Sequence, residues 1–161
     1  MRLTYEVGRL VKQLQTRKRN LVVVFFDQEE TGHAGSFAFA EYCEKQNWDI
    51  HSVHTADMIG WDSDQDKNIE LELPTLQLEA VYRRHAEGLG ITAYTTTTSE
   101  TDHREFRNAG FNAIGMGGEY KNGDTSPHHH KLTDTVETVD FKYLTFVTDL
   151  VFGVVNELIN E

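Results

Sequence analysis

The sequence of 161 residues has one cysteine, Cys43, and two prolines. A single cysteine excludes an intrachain disulfide, and few prolines without low-complexity tracts or repeats predict no interdomain linker. No apolar run reaches membrane-spanning length, and the first ten residues lack a signal-peptide core. Basic residues are also scarce, 15 against 26 acidic ones, for a net charge of −11. This charge disfavours nucleic acid and anionic membranes as partners.

The remaining composition is that of a water-exposed globular protein. Hydrophobic residues make up 39% of the chain and charged residues 25%, and both fractions are ordinary for a folded domain. A chain of this length can bury one core. We therefore expect residues 1–161 to form one domain, and the sequence leaves the cellular compartment open.

Helical and strand patterns alternate along the chain. Apolar residues at helical spacing predict an opening helix from about Leu3 to Leu14 and a closing helix capped by Asp140. Between them, strands and helices follow one another over 21–26, 36–45, 50–56, 69–73, 76–89, 91–98, 103–108 and 112–116. Such alternation predicts an α/β fold, a three-layer α/β/α sandwich around a mostly parallel sheet.

The most apolar run, Leu21–Phe26, is typical of a central strand buried on both faces. Glu29 and Glu30 follow it, and Ser36 is then placed to cap a helix. An acidic turn that neutralises the positive end of that helix would explain the two glutamates equally well. Taken alone, the pair does not decide between the two interpretations.

Acidic or imidazole side chains also follow other predicted strands: Asp57, then Asp102 with His103, then His130 in the long loop before the closing helix. Because parallel strands end at one edge of a sheet, we expect these groups to meet there. Carboxylate and imidazole ligands together suit zinc. The spacing therefore favours a metal site over a set of unrelated surface residues.

At this point the sequence resembles the cocatalytic zinc aminopeptidases related to bacterial leucyl aminopeptidase, whose fold glutaminyl cyclases share. The resemblance is carried by four motifs in the family's order: Phe-Phe-Asp-Gln-Glu-Glu-Thr-Gly over 25–32, Asp-Met-Ile-Gly over 57–60, Thr-Asp-His over 101–103, and His130 four residues before Asp134-Thr135. It extends over nearly the whole chain and implies a peptidase acting on the amino-terminal residue of a peptide.

The resemblance also implies roles for individual residues. Glu29 would be the general base, while Glu30 and His130 would bind one zinc ion and Asp57 the other. Asp102 would contact the substrate or support the ligands. Asp134 would orient His130 or close a turn, and the turn is the preferred interpretation.

One departure from the family limits these expectations. The family takes a histidine and a bridging aspartate from an earlier His-x-Asp strand, and no His-x-Asp occurs in this sequence. The chain therefore looks like the carboxyl-terminal part of the domain, lacking its amino-terminal strands. We expect it to hold at most one zinc ion, weakly, and to be inactive or nearly so by itself.

The missing strand should also leave the Leu21–Phe26 strand with an unpaired edge. Exposed strand edges pair with other chains, so we expect either internal re-pairing or self-association. Two alternatives to the peptidase remain: a glutaminyl cyclase that moves protons through Glu29 and Asp102, and a non-catalytic scaffold that has lost its metal site.

Overall fold

The protein is described by a computed structural model over residues 2–121 and 123–161. Its helices are α1 Arg2–Lys12, α2 Ala34–Lys45, α3 Leu76–Leu89, α4 His103–Asn108 and α5 Phe141–Leu158, and its strands are β1 Val53–Ala56, β2 Ile69–Glu72, β3 Ala93–Thr96 and β4 Ala113–Gly117. Two single 3₁₀ turns, Glu29–Thr31 and Val136–Thr138, complete the order. Within these residues, no helix is both long and apolar enough to span a bilayer.

The four strands form one mixed sheet in the order β1-β4-β2-β3. β1 pairs with β4 in parallel and β2 pairs with β3 in parallel, while β2 and β4 are antiparallel. Two of the three pairings are thus parallel, as expected of a mostly parallel sheet. The antiparallel pairing places Glu72 of β2 opposite Gly115 of β4.

Helices cover both faces of the sheet, which gives the expected three layers. On one face α5 packs against α1 and α3, and Leu3, Leu78 and Leu150 are buried between them. On the other face α2 and α4 pack together around Ala40 and Phe106, over Ala113 of β4. Buried apolar residues at helical spacing, as in α1 and α5, direct one stripe of each helix to the core.

Of the two predicted helix caps, the structure confirms one and contradicts the other. Asp140 caps α5 as predicted, because its Oδ1 accepts from the backbone N–H groups of Lys142 at 2.8 Å and Tyr143 at 2.9 Å. The predicted cap of α2 is wrong. His33, with φ of 58°, precedes the first residue of α2, and Ser36 is buried inside the helix with its hydroxyl donating to the His33 carbonyl.

The predicted strand over Leu21–Phe26 is also wrong. The run is not a strand, and no backbone hydrogen bond of these residues is present within 2–121 and 123–161. Val22 is 55% exposed and Phe25 52% exposed, so the run is not buried on both faces. An apolar run becomes a central strand only when strands flank it on both sides, and among the described residues no strand pairs with this run.

The run nevertheless lies in the layer of the sheet. The Val23 side chain approaches Gly8 of α1, whereas Phe26 packs on Phe39 of α2 at 5.9 Å and on Phe106 of α4 at 5.8 Å between ring centroids. A groove of about 800 Å³, lined by the run and by β1, separates the two. We call this space the strand groove.

Candidate functional site

A cleft of about 1060 Å³ lies at the end of β1, and five of the six predicted site residues line it: Glu29, Glu30, Asp57, His130 and Asp134. The 3₁₀ turn that follows the apolar run holds the two glutamates. Asp57 comes directly after β1, and the loop between β4 and α5 carries His130 and Asp134. Segments far apart in the sequence therefore supply one cleft.

The clearest contact in the cleft joins Glu30 and His130. Glu30 Oε1 and His130 Nε2 are 2.9 Å apart, although 100 residues separate them in the sequence. Both side chains are exposed, and His130 takes a left-handed backbone conformation with φ of 55°. Its ring also lies against the ring of His129, tilted by 34° with the centroids 3.9 Å apart. The expected convergence of these two residues is present; their role as metal ligands stays a prediction.

Glu29 stands beside this pair in an electrostatically negative setting. Burial raises the pKa of its carboxyl, and the charges of Asp57 and Glu30 raise it further. The imidazole of His33 opposes them, with Nε2 3.2 Å from Glu29 Oε1. A carboxylate with a raised pKa is a stronger base at neutral pH, which suits the predicted role of Glu29.

His33 is a contributor that the sequence analysis did not identify. Its buried ring reaches Glu29, the carbonyl of Glu100 at 3.0 Å and Glu105 Oε1 at 3.5 Å. It thereby fixes the direction of the Glu29 side chain. The spacing of four residues between Glu29 and His33 was the only signal available.

The two remaining predicted residues, Asp102 and Asp134, do not contact Glu30 or His130 through a hydrogen bond of their side chains among the described residues. Asp102 does not line the cleft; burial raises the pKa of its carboxyl, and its Oδ1 is buried without a hydrogen-bond partner within 2–121 and 123–161. Asp134 is exposed, and its backbone N–H donates to the Lys131 carbonyl at 3.0 Å. Of the two interpretations of Asp134, this geometry supports the turn.

The route by which Asp102 approaches the site differs from the expected one. β3 runs antiparallel to β1 and β4, so its carboxyl end does not share their edge. The segment after β3 instead returns over one face of the sheet, where the ring of His103 lies against Gly115. The expectation of a common strand edge was wrong for this segment.

A buried polar cluster lies behind the cleft, and its glutamate was not identified in the sequence analysis. It consists of Glu72, Thr101 and His103, and the glutamate and histidine are 1% and 0% exposed. The Thr101 hydroxyl is 3.1 Å from Glu72 Oε2 and 2.7 Å from His103 Nδ1. Glu72 and Thr101 both reach the cleft wall. Burial raises the pKa of Glu72 to about 7 and lowers that of His103 to about 4.

The sequence matches the family described as Peptidase family M28 over residues 3–155. The chain belongs to this family. No curated protein gave a match.

Solved structures place this M28 chain in the same fold. The LapA aminopeptidase of Legionella pneumophila superposes with a TM-score of 0.90 at 18% identity, over 99% of this chain and 44% of LapA. BSAP, a zinc aminopeptidase from Bacillus subtilis, gives 0.85 at 22% identity, over 99% of this chain and 40% of BSAP. A glutaminyl cyclase of Porphyromonas gingivalis superposes with a TM-score of 0.73 at 16% identity, over 96% of this chain and 59% of the cyclase. The chain thus spans less than half the length of the two aminopeptidases.

Zinc, which such relatives imply, can be tested against the donors in the cleft. Glu30 and His130 offer an oxygen and a nitrogen at contact distance, the right chemistry for zinc. Asp57 lines the same cleft but does not form a three-ligand cluster with them. Within 2–121 and 123–161, two groups of three residues have their ligand atoms within 4.8 Å of one another. One group is Asp62, Asp64 and Asp66, and the other is Asp64, Glu119 and Asp124. The donors therefore fit one ion held by two close ligands, one short of the three that catalytic zinc sites use.

Proposed function

We propose that the chain carries the catalytic base and part of the zinc site of an exopeptidase that removes amino-terminal residues from peptides. The observation that carries this proposal is the 2.9 Å contact between Glu30 and His130, in the cleft that Glu29 also lines. A carboxylate and an imidazole brought together across 100 residues, beside a carboxylate with a raised pKa, suit metal-assisted hydrolysis.

Each residue has a separate task in this proposal. Zinc held by Glu30 and His130, with Asp57 as a ligand of the second ion in a complete site, would supply a Lewis acid that lowers the pKa of water. Glu29 takes a proton from the attacking water as the new carbon–oxygen bond forms. It returns that proton to the nitrogen of the leaving peptide as the carbon–nitrogen bond breaks. His33 holds the Glu29 carboxylate in place during both transfers.

The isolated chain should have little or no activity. Only two donors lie at contact distance, and both are exposed, so zinc should bind weakly. A longer protein that supplies the missing His-x-Asp segment should show turnover. In that protein, Glu29→Gln should abolish hydrolysis and leave the zinc in place, because it removes the base and retains the ligands.

The test measures zinc content after dialysis and hydrolysis of leucine p-nitroanilide. The 161-residue chain should retain substoichiometric zinc and give near-background hydrolysis. His130→Ala should reduce the zinc further, whereas His128→Ala should not, since His128 Nδ1 bonds to the Thr133 hydroxyl at 3.0 Å. Robust zinc-dependent hydrolysis by this chain would contradict the proposed inactivity. Equal zinc loss in both variants would contradict the ligand assignment.

A glutaminyl cyclase is the second candidate, favoured by the buried Oδ1 of Asp102, which has no hydrogen-bond partner among the described residues. In that reaction Glu29 and Asp102 would move protons while the substrate's amine closes on its own side-chain amide. Cyclisation of a glutaminyl peptide by the longer protein, without hydrolysis of leucine p-nitroanilide, would establish this alternative. Neither turnover nor zinc in the longer protein would instead indicate a non-catalytic scaffold.

A further inference from the structure

Glu72 is a buried carboxylate that the proposed hydrolysis does not use. It is the last residue of β2, only 1% exposed, and part of the cleft wall. Two glycines make room for it: a Cβ on Gly115 would lie 2.5 Å from its Oε2, and one on Gly117 would lie 3.2 Å from its Oε1. The fold therefore keeps a space for a carboxylate at this position.

The carboxylate has too few hydrogen-bond donors. His103 Nε2 faces the Thr98 carbonyl at 3.1 Å, so this nitrogen carries the hydrogen of the neutral ring and Nδ1 is an acceptor. The Thr101 hydroxyl has one hydrogen for two acceptors, Nδ1 at 2.7 Å and Glu72 Oε2 at 3.1 Å. Glu72 therefore shares its one side-chain donor, the Thr101 hydroxyl, with the imidazole.

No lysine or arginine among residues 2–121 and 123–161 lies within 4 Å of this carboxylate. Within 2–121 and 123–161, the one basic group within 4 Å of the Glu72 carboxylate is the imidazole of His103, at 3.5 Å. The other charges that act on Glu72 are acidic: Asp57, Glu70 and Glu100. A buried carboxylate without a cation is costly, and the cleft is the side from which a cation can come.

We propose that Glu72 binds a primary ammonium group, namely the free amino terminus of the peptide substrate. An ammonium brings a full positive charge and three hydrogen-bond donors, which Thr101 and His103 do not provide. This inference rests on the proposed exopeptidase function and adds to it the residue that selects an unblocked amino terminus. The acidic wall of the cleft also attracts cations before they bind.

Leucinamide is the probe, because it carries a free amine and no cleavable peptide bond to a second residue. N-acetyl-leucinamide has the same side chain without the charge. At pH 7.4 the wild-type chain should bind leucinamide at least about tenfold more tightly than N-acetyl-leucinamide, as measured by NMR titration. Glu72→Gln should remove this preference. Glu100→Gln, which neutralises an exposed glutamate of the same cleft, should change it by less than about twofold.

The preference should also have a pH optimum. Glu72 ionises with a pKa of about 7 and an α-amine loses its proton near 8, so the preference should be weaker at pH 5.5 and at pH 9.5. The ¹³C titration of the Glu72 carboxyl in wild-type protein gives a measurement that needs no folded variant. Saturating leucinamide should lower that pKa, because the ammonium stabilises the ionised form.

Three results would overturn the inference: no detectable binding of leucinamide, equal binding of its acetylated form, or an equal loss of preference in Glu72→Gln and Glu100→Gln. An unchanged Glu72 titration at saturating leucinamide would do the same. These results leave zinc binding by Glu30 and His130 untouched. Loss of zinc binding with the amine preference intact would instead overturn the proposed function alone.

Discussion

We expect copies of the chain to associate through the apolar run Leu21–Phe26. The run has no backbone hydrogen bond within 2–121 and 123–161, and β1 presents the outer edge of the sheet across the strand groove. A strand of six residues occupies roughly 950 Å³, from about 3.3 Å per residue, 4.8 Å between strands and 10 Å between layers. The groove of about 800 Å³ therefore has room for about one further strand. We predict that, at high concentration, copies of the chain pair through this region.

The side chains of the run set the size of the effect. Val22 and Val23 both line the strand groove, and they are 55% and 39% exposed. Complete burial of such a side chain is worth roughly 1.5–3 kcal/mol, so covering the exposed half of Val22 contributes about 0.8–1.6 kcal/mol. In a symmetric pair, Val22→Lys removes this contribution twice, about 1.6–3.2 kcal/mol. The dissociation constant should then rise roughly 15- to 200-fold.

Light scattering across a concentration series measures this change. Leu76→Lys is the matched control, because Leu76 is 87% exposed at the start of α3, away from the strand groove. It should leave the association constant of the wild-type chain unchanged. A wild-type chain that stays monomeric at every concentration would refute the reasoning, and so would an equal effect of the two lysine variants.

Three further predictions concern stability, each followed by thermal unfolding. Gly115→Ala should lower the free energy of unfolding by about 1–3 kcal/mol, because the added Cβ would overlap Glu72 and His103. Its control is Gly88→Ala, which has nothing within 4 Å of the added Cβ and should be neutral or stabilising. Equal melting temperatures of the two variants would contradict the overlap. Burial raises the pKa of Glu72 from 4.5 to about 7. The contribution of this carboxyl to the free energy of unfolding therefore falls as the pH rises through that range. Glu72→Gln should therefore raise the melting temperature at pH 8 and have little effect at pH 4; the opposite order would contradict the shift. Asp140→Ala should cost about 0.5–2 kcal/mol through the lost helix cap, and Asp140→Asn should retain most of it.

Local signals in the sequence were reliable where one helix or one motif decides the outcome. The bounds of α3, Leu76–Leu89, match the predicted ones, and Asp140 caps α5 as expected. The order of the four motifs was sufficient to place Glu30 and His130 in one cleft. These motifs extend over nearly the whole chain, so matching them to the family also matches the positions of their residues in the fold.

Properties that depend on partners could not be predicted in the same way. An apolar run such as Leu21–Phe26 indicates a strand with neighbours on both sides, but it does not indicate whether those neighbours are present. In β2, the alternation of apolar residues with Glu70 and Glu72 predicts a strand with one face in water. Both glutamates are instead buried, at 0% and 1% exposed. Thr101 and His103, in the segment after β3, contact the Glu72 carboxylate, and no periodicity in β2 contains that information.

The shifts of the acidic groups around the cleft give the proposals a common physical basis. Burial is the first cause that raises the pKa values of Glu29, Glu72 and Asp102, and in all three the negative charge of Asp57 adds to it. Carboxylates kept this close in a folded protein are normally offset by cations. Within 2–121 and 123–161, the basic groups that contact Glu29 and Glu72 are the imidazoles of His33 and His103, and burial keeps His103 neutral at physiological pH. A metal ion at Glu30 and His130 and an ammonium group at Glu72 would supply positive charge to this cleft from two different sources.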